Sequence, residues 1–417
     1  MNRLTLVLLA ALAACNPPPA APTAVPGGEP GIGSGLPPLA ASPHAAPSDA
    51  ALVWWTVPAF APAEPDAAGA PGALEAALDA YRVEHPAVDL RIGVKPAHAD
   101  QGITAQLKAA ARAAPAALPD LAVVPLDALL DPAVRALAQP WPDELALEPA
   151  QTFPFAATGA WDADGRMLAL PFAVDSVHLV SRGVTPPATW AAMQAAGPWV
   201  VPAPTPSCRA LSPLLAFYAA SGGVLSELPD VDPEAWQQAL AFIRRAAAGG
   251  SMAASDVIDP AAGPWQALME GEVRGAAIAA AGFLRHEGAF PELAWGPLPG
   301  PERPVTAVGC GWAMVIATQT PQRAVTAASL ARWLTAPERR TWVVEAGYLP
   351  AEREEWAAAV SRAVDPSPET AYLTFLEAQL AAAAPVARLD TLAAAWSVAY
   401  EAALAGDAPP AGFDSPP

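Results

Sequence analysis

Asparagine is nearly missing from this chain of 417 residues, occurring only at Asn2 and Asn16, and lysine only at Lys95 and Lys108. Both scarcities accompany abundant Ala, Pro and Arg, so a GC-rich coding bias accounts for them without reference to any site. Basic residues number 22 against 41 acidic ones, for a net charge of −19. That balance excludes partners that need clustered Lys and Arg, nucleic acids and anionic lipid surfaces among them. Catalytic signatures are absent as well: there is no G-x-S-x-G elbow, no H-E-x-x-H and no Walker loop. His44, His85, His98, His178 and His286 are scattered without metal-ligand spacing, so neither a metal nor another cofactor is expected. After the first few residues no stretch is both long and apolar enough for a membrane span, which takes about 20 residues.

What is present begins with MNRLTLVLLAALAACNPPP. Arg3 gives a positive start, Leu4 to Ala14 an unbroken apolar run, and small Ala13 and Ala14 precede Cys15, the layout of a secretory signal. Leu12-Ala13-Ala14-Cys15 resembles the bacterial lipobox, in which cleavage before the Cys exposes a thiol and an α-amine for acylation. Residues 1–14 are then the leader and Cys15 the lipid anchor; an ordinary signal peptide with an incidental Cys is the plainer alternative. Each buried lipid methylene contributes about 0.8 kcal/mol of membrane affinity, so two or three chains hold firmly. Residues 15–49 are Pro, Ala, Gly and Ser with almost no charge, which cannot bury a core and reads as a semi-extended spacer. GIGSG at Gly31 belongs to that spacer and not to a strand-to-helix turn.

From about residue 50 the pattern alternates between strands and helices. Leu52-Val53-Trp54-Trp55 reads as a buried strand; Leu74, Leu78 and Tyr81 make one helical stripe that Pro86 ends; Val88 to Val94 alternates with period two; and Leu121 to Pro125 is a wholly apolar strand. This is the α/β signature. Further strands are expected at 165–172, 174–180, 199–201 and 311–317, and helices at 211–221, 233–248 and 321–334 and from Pro337 to about Gly347. A turn-rich edge is expected at 295–301, and a last helical stripe through Leu389, Leu392, Trp396, Tyr400 and Leu404, stopped by Gly406.

In that order the segments LVWWT, LEAALDAYRVEHPAVDLRI, LPDLAVVPLD, DGRMLALPFAVDSVHLVSR, GEVRGAAIA, PLPGPERPVTAVGCGWAMVIA and EAGYLP carry a resemblance. The chain resembles the family 1 extracellular solute-binding proteins of ABC importers, the group that includes maltose-binding protein. The resemblance implies a two-lobed α/β fold of the type II periplasmic-binding-protein kind, with discontinuous lobes, 50–173 with 310–347 and 177–307 with 350–406, and a tail at 407–417. It places the hinge crossings at Pro171 to Ser176, Ala307 to Gly311 and Tyr348 to Leu349. It implies a small polar solute, a sugar or oligosaccharide, held in the interlobe cleft of a monomer and passed to ABC permease subunits. Trp55, Asp127, Asp175 and Trp312 align with ligand positions of the sugar-binding members, Trp265 and Phe283 are further candidates on the second lobe, and Gly311 and Tyr348 lie at the crossings. Val180-Ser181-Arg182 stands where the family usually has Tyr-Asn-Lys.

Cys208 and Cys310 are expected as two separate buried thiols, because they fall in different lobes and a bond would lock the protein shut. The same cleft would serve a surface sensor or scaffold, and an anchored hydrolase with an acidic pair is the enzyme alternative.

Overall fold

The computed structural model describes residues 51–62, 72–98, 101–256, 262–285, 292–354, 356 and 367–407. The leader, Cys15, the spacer and most of the tail lie outside the described residues. Strand β1 (Leu52–Thr56) alternates between buried and half-buried positions, so Trp54 is driven into the core and Trp55 turns to the opposite face. It pairs in parallel with β2 (Leu90–Val94) and β3 (Leu121–Pro125), and every residue of β3 is buried, as a strand covered on both faces requires. Helix α1 (Ala73–Glu84) buries Leu74, Leu78 and Tyr81 and stops at His85, where the following Pro86 disfavours a further helical residue. Helix α2 (Ile103–Ala113) makes the next crossover.

Strand β4 (Ala169–Asp175) passes through the single residue Ser176 into β5 (Val177–Arg182), yet the two belong to different sheets. The change of sheet thus falls at Ser176, the last residue of the range expected for this crossing. The second sheet continues with β6 (Trp199–Val201), helices α3 (Cys208–Ala220) and α4 (Pro233–Ala248), β7 (Met252–Ala254), α5 (Gly263–Glu270), β8 (Gly275–Ala279) and β9 (Leu293–Gly296). β9 lies at residues expected to be turn-rich: Trp295 and Gly296 pair with β5 as an edge strand before the prolines end it. β10 (Cys310–Ile316) returns to the first sheet, followed by α6 (Pro321–Thr335) and the two-residue β11 (Leu349–Pro350), which pairs with β4. Pro171 is tolerated inside β4 because the register against β10 shifts there, opposite Trp312 and Ala313. The chain from Pro337 to Gly347 contains only a short helix at Thr341–Glu345. Helices α7 (Pro368–Ala382) and α8 (Ala393–Leu404) complete the fold.

The resulting sheet orders are β11-β4-β10-β3-β1-β2 and β7-β6-β8-β5-β9. One face of the second sheet packs on α3, α4 and α8, where the Trp236 and Trp396 rings meet at 4.5 Å. Trp265, Phe283 and Tyr372 belong instead to an apolar cluster that runs without a break into the core of the first sheet.

Cys208 and Cys310 form a disulfide, which overturns the expectation of separate thiols. The objection to a bond rested on the two residues belonging to opposite lobes. Cys310, although it begins a first-sheet strand, is buried with Val308, Leu211 and Leu214 in the core of the second lobe. Both sulfurs therefore sit in one core, at the point where β10 leaves the second lobe for the first sheet. A persistent disulfide also fits an oxidising, extracytoplasmic compartment.

Candidate functional site

Because β10 runs antiparallel to both β3 and β4, the end of β3, the end of β4 and the start of β10 meet at one edge of the first sheet. From the other lobe α3 points its first turn at that edge, with Ser207 as the N-cap accepting from the Ala210 N–H. Between them lies a cavity of about 220 Å³ lined by Ala59, His98, Pro125, Asp127, Ser207, Cys208, Arg209, Cys310, Gly311, Trp312, Ala346 and Tyr348. Ligands of open α/β sheets bind outside the carboxyl ends of strands for this same geometric reason.

Four of the residues expected from the sequence come together here: Asp127, Gly311, Trp312 and Tyr348. Trp312 is held edge-on by Phe60 at 5.7 Å, faces the His98 ring at 5.6 Å and meets Tyr348 at 6.5 Å, which makes an aromatic floor. Gly311 allows β10 to approach β4 at this point, since a Cβ there would stand 2.3 Å from the Ala173 carbonyl oxygen. Asp127 lies in the turn of 3-10 helix directly after β3. Burial, with the nearby Asp390 carboxylate adding to it, pushes its carboxyl up to about 7. Burial pushes His98 down to about 4, so its ring is neutral at pH 7.

The remaining candidates lie elsewhere. Asp175 is wholly buried, accepting from the N–H groups of Ser176 at 2.8 Å and Ala281 at 3.3 Å, with Arg209 Nη2 2.6 Å from Oδ2. It does not line the cavity but anchors Arg209, which does. Trp55 packs against Gly93 with the Lys95 ammonium 4.5 Å from its ring centre. Trp265 and Phe283, 6.0 Å apart, are core residues on the far face of the second sheet.

His98, Ser207, Arg209 and the disulfide were not anticipated as site residues. Arg209 had a legible signal: a cation in the first turn of a helix opposes the macrodipole, a placement that calls for a counter-charge. Its guanidinium also stacks on Tyr348 at 3.7 Å and donates to the Gly347 carbonyl of the opposite lobe. A second interlobe seam is made by the Arg388 N–H donating to the Asp127 carbonyl at 3.0 Å, and by Lys108 bridging Asp131 at 3.0 Å and Asp390 at 3.3 Å.

Asp127 makes stability depend on pH. Its carboxyl ionises near 3.8 in the unfolded chain and about 7 in the folded one, so the native state binds the extra proton in that window and stability falls as pH rises through it. Asp127→Asn is expected to flatten the decline by on the order of 2 kcal/mol, as read by urea unfolding at pH 4.5 and 7.5. An unchanged slope would show that the carboxyl titrates normally.

The chain belongs to the bacterial extracellular solute-binding proteins, whose family profile matches residues 76–362. Solved structures share the whole architecture. The GacH receptor of Streptomyces glaucescens, studied unliganded and with acarbose, superposes with a TM-score of 0.62 at 16% identity, over 86% of this chain and 94% of that one. Maltose-bound MalE3 of T. maritima gives 0.59 at 16% identity, covering 85% and 97%. A solute-binding protein of Agrobacterium radiobacter K84 in complex with ribitol gives 0.62 at 14% identity, covering 87% and 95%. No curated protein sequence matches the chain. Among the described residues no helix is long and apolar enough to cross a membrane, and no cluster of His, Cys, Asp and Glu could hold a metal.

Proposed function

We propose that this protein is the lipid-anchored substrate-binding component of an ABC importer, a monomer that captures a sugar or polyol between its lobes and hands it to the permease without performing chemistry on it. The observation that carries this reading is the pairing, in one interlobe cavity, of an aromatic floor (Trp312 with Tyr348) and a carboxylate (Asp127). Aromatic faces pack on the apolar side of a sugar ring, and a carboxylate accepts its hydroxyls. A hydroxyl or carboxylate left unpaired there costs about 1 to 3 kcal/mol, which selects polyols over apolar solutes. The acarbose, maltose and ribitol complexes of the structural relatives support the choice of cargo.

Thermal-shift screening of the full chain against sugars, polyols, amino acids and peptides tests it. A ligand at 100 times its dissociation constant adds about 2.7 kcal/mol to stability. A shift with at least one sugar or polyol is expected, and Trp312→Ala should weaken that ligand about tenfold, near 1.4 kcal/mol. No response to any carbohydrate, or an unaltered response in the variant, overturns the cargo or the site respectively. For the anchor, Cys15→Ala is expected to move the protein from the membrane fraction to the soluble one. Retention of the variant in membranes would rule out lipid on Cys15.

A further inference from the structure

The cleft carries information about the size of its cargo, given that the cargo is a carbohydrate. We infer that it takes a single-ring sugar or a linear polyol of similar bulk, uncharged, and rejects di- and oligosaccharides. This rests on the carbohydrate reading above and narrows it.

Three observations carry the inference. The first is space: the cavity of about 220 Å³ is below the usual range of about 300 to 1,000 Å³ for sites that enclose larger ligands. The second is that the lobes touch on both sides of this space. On one side Arg209 donates to the Gly347 carbonyl and covers the Tyr348 ring; on the other the Arg388 N–H bonds Asp127 at 3.0 Å and Lys108 reaches Asp390 at 3.3 Å. The Cys208–Cys310 disulfide and Trp312 fill the wall between them. A second sugar unit that extended toward either seam would have to part it. It would strip polar groups of their partners while supplying hydroxyls whose geometry is set by the first ring.

The third observation is charge balance. Around the cavity Arg209 is matched by Asp175, Lys108 lies between Asp131 and Asp390, and Arg388 adds its positive field at Asp131. Among these described groups three cations stand with three carboxylates, while Asp127, its carboxyl raised to about 7, lies with an uncharged His98 in the cavity wall. Among the described residues, Arg209 is the cation that lines the cavity, and it already pairs with Asp175, so the phosphate or carboxylate of a sugar acid finds no dedicated partner there.

Isothermal titration calorimetry of the full chain in mild detergent at pH 7 tests this. The probes are a panel of pentoses, hexoses and their alditols, with maltose, maltotriose, gluconate and glucose 6-phosphate. At least one single-ring or linear probe should bind at least about tenfold more tightly than any of the others, a gap of about 1.4 kcal/mol. In a double variant, Lys108→Ala with Asp390→Ala, the gap against maltose should shrink at least about threefold because one seam is opened. Maltose or maltotriose binding as well as the best single-ring probe overturns the inference and leaves the carbohydrate reading standing. An unchanged gap in the folded double variant overturns the seam as its cause. Silence across the whole panel overturns the carbohydrate reading itself, and the size limit with it.

Discussion

Replacing Cys208 and Cys310 together by Ala is expected to lower the unfolding free energy by about 3 to 5 kcal/mol. The bond joins residues 102 apart in sequence. In the chain-entropy account a closed loop of about 100 residues restricts the unfolded ensemble by about 4.7 kcal/mol. The surroundings add little strain on removal, since Cys208 is half-buried at the head of α3 and Cys310 sits beside Ser212 Oγ at 3.3 Å. Urea unfolding of the double variant, and of the wild type in reductant, should report the same loss. A variant within about 1 kcal/mol of the oxidised wild type would mean that the unfolded chain is already held together by other contacts.

Arg209→Met is expected to cost about 3 to 5 kcal/mol at pH 7, because it leaves Asp175 charged and without its counter-ion at a position with no solvent exposure. The cost should be smaller at pH 5. Burial already pushes the Asp175 carboxyl up and Arg209 opposes that push, so without Arg209 the folded carboxyl keeps its proton to higher pH than the unfolded one. Stability is then lost as pH rises above the ordinary carboxylate range, the sign expected for an acid whose folded pKa is raised. Asp175→Asn should be milder, since the amide oxygen can still accept from the Ser176 and Ala281 N–H groups. A double-mutant cycle over the two positions isolates the pair. Equal losses at pH 5 and pH 7 for Arg209→Met would place the whole effect in lost packing against Tyr348 instead.

Both effects arise where the chain passes between the two sheets, and they concern the same side chain. The disulfide fixes the residue next to Arg209, Asp175 fixes its guanidinium from below, and the far lobe receives it through Gly347 and Tyr348. Gly347 itself has φ of +85°, a left-handed conformation open to Gly without penalty, which lets its carbonyl face that guanidinium. Domain closure around a ligand needs a few element-terminal residues that absorb backbone rotation. Ser176, between β4 and β5, and Gly309, before β10, occupy such places.

Much of this was present in local pattern. The stripe of Leu74, Leu78 and Tyr81, the five-residue apolar run of β3 and the last stripe through Trp396 and Tyr400 each specify an element and its buried face, because periodicity of 3.6 or 2 depends only on neighbours in the chain. The resemblance spread over these segments led to the family and also named Asp127, Gly311, Trp312 and Tyr348, which the structure gathers around one cavity. What no local pattern could settle was which partner each polar or aromatic group would meet. Asp175 looked like a ligand carboxylate and is a buried counter-ion, since Arg209 arrives from a helix 34 positions later in the chain. Trp265 and Phe283 looked like cleft aromatics, yet Phe283 packs on Tyr372, supplied by α7 only after the last crossing, and Trp265 packs edge-on against Phe283. The cysteines were assigned to different lobes, where a bond would lock the protein shut, and the crossing strand instead brings them into one core where they bond. Pairings of that kind depend on how two sheets and their helices pack, and the free energy of a charge or a ring is decided by what is packed against it.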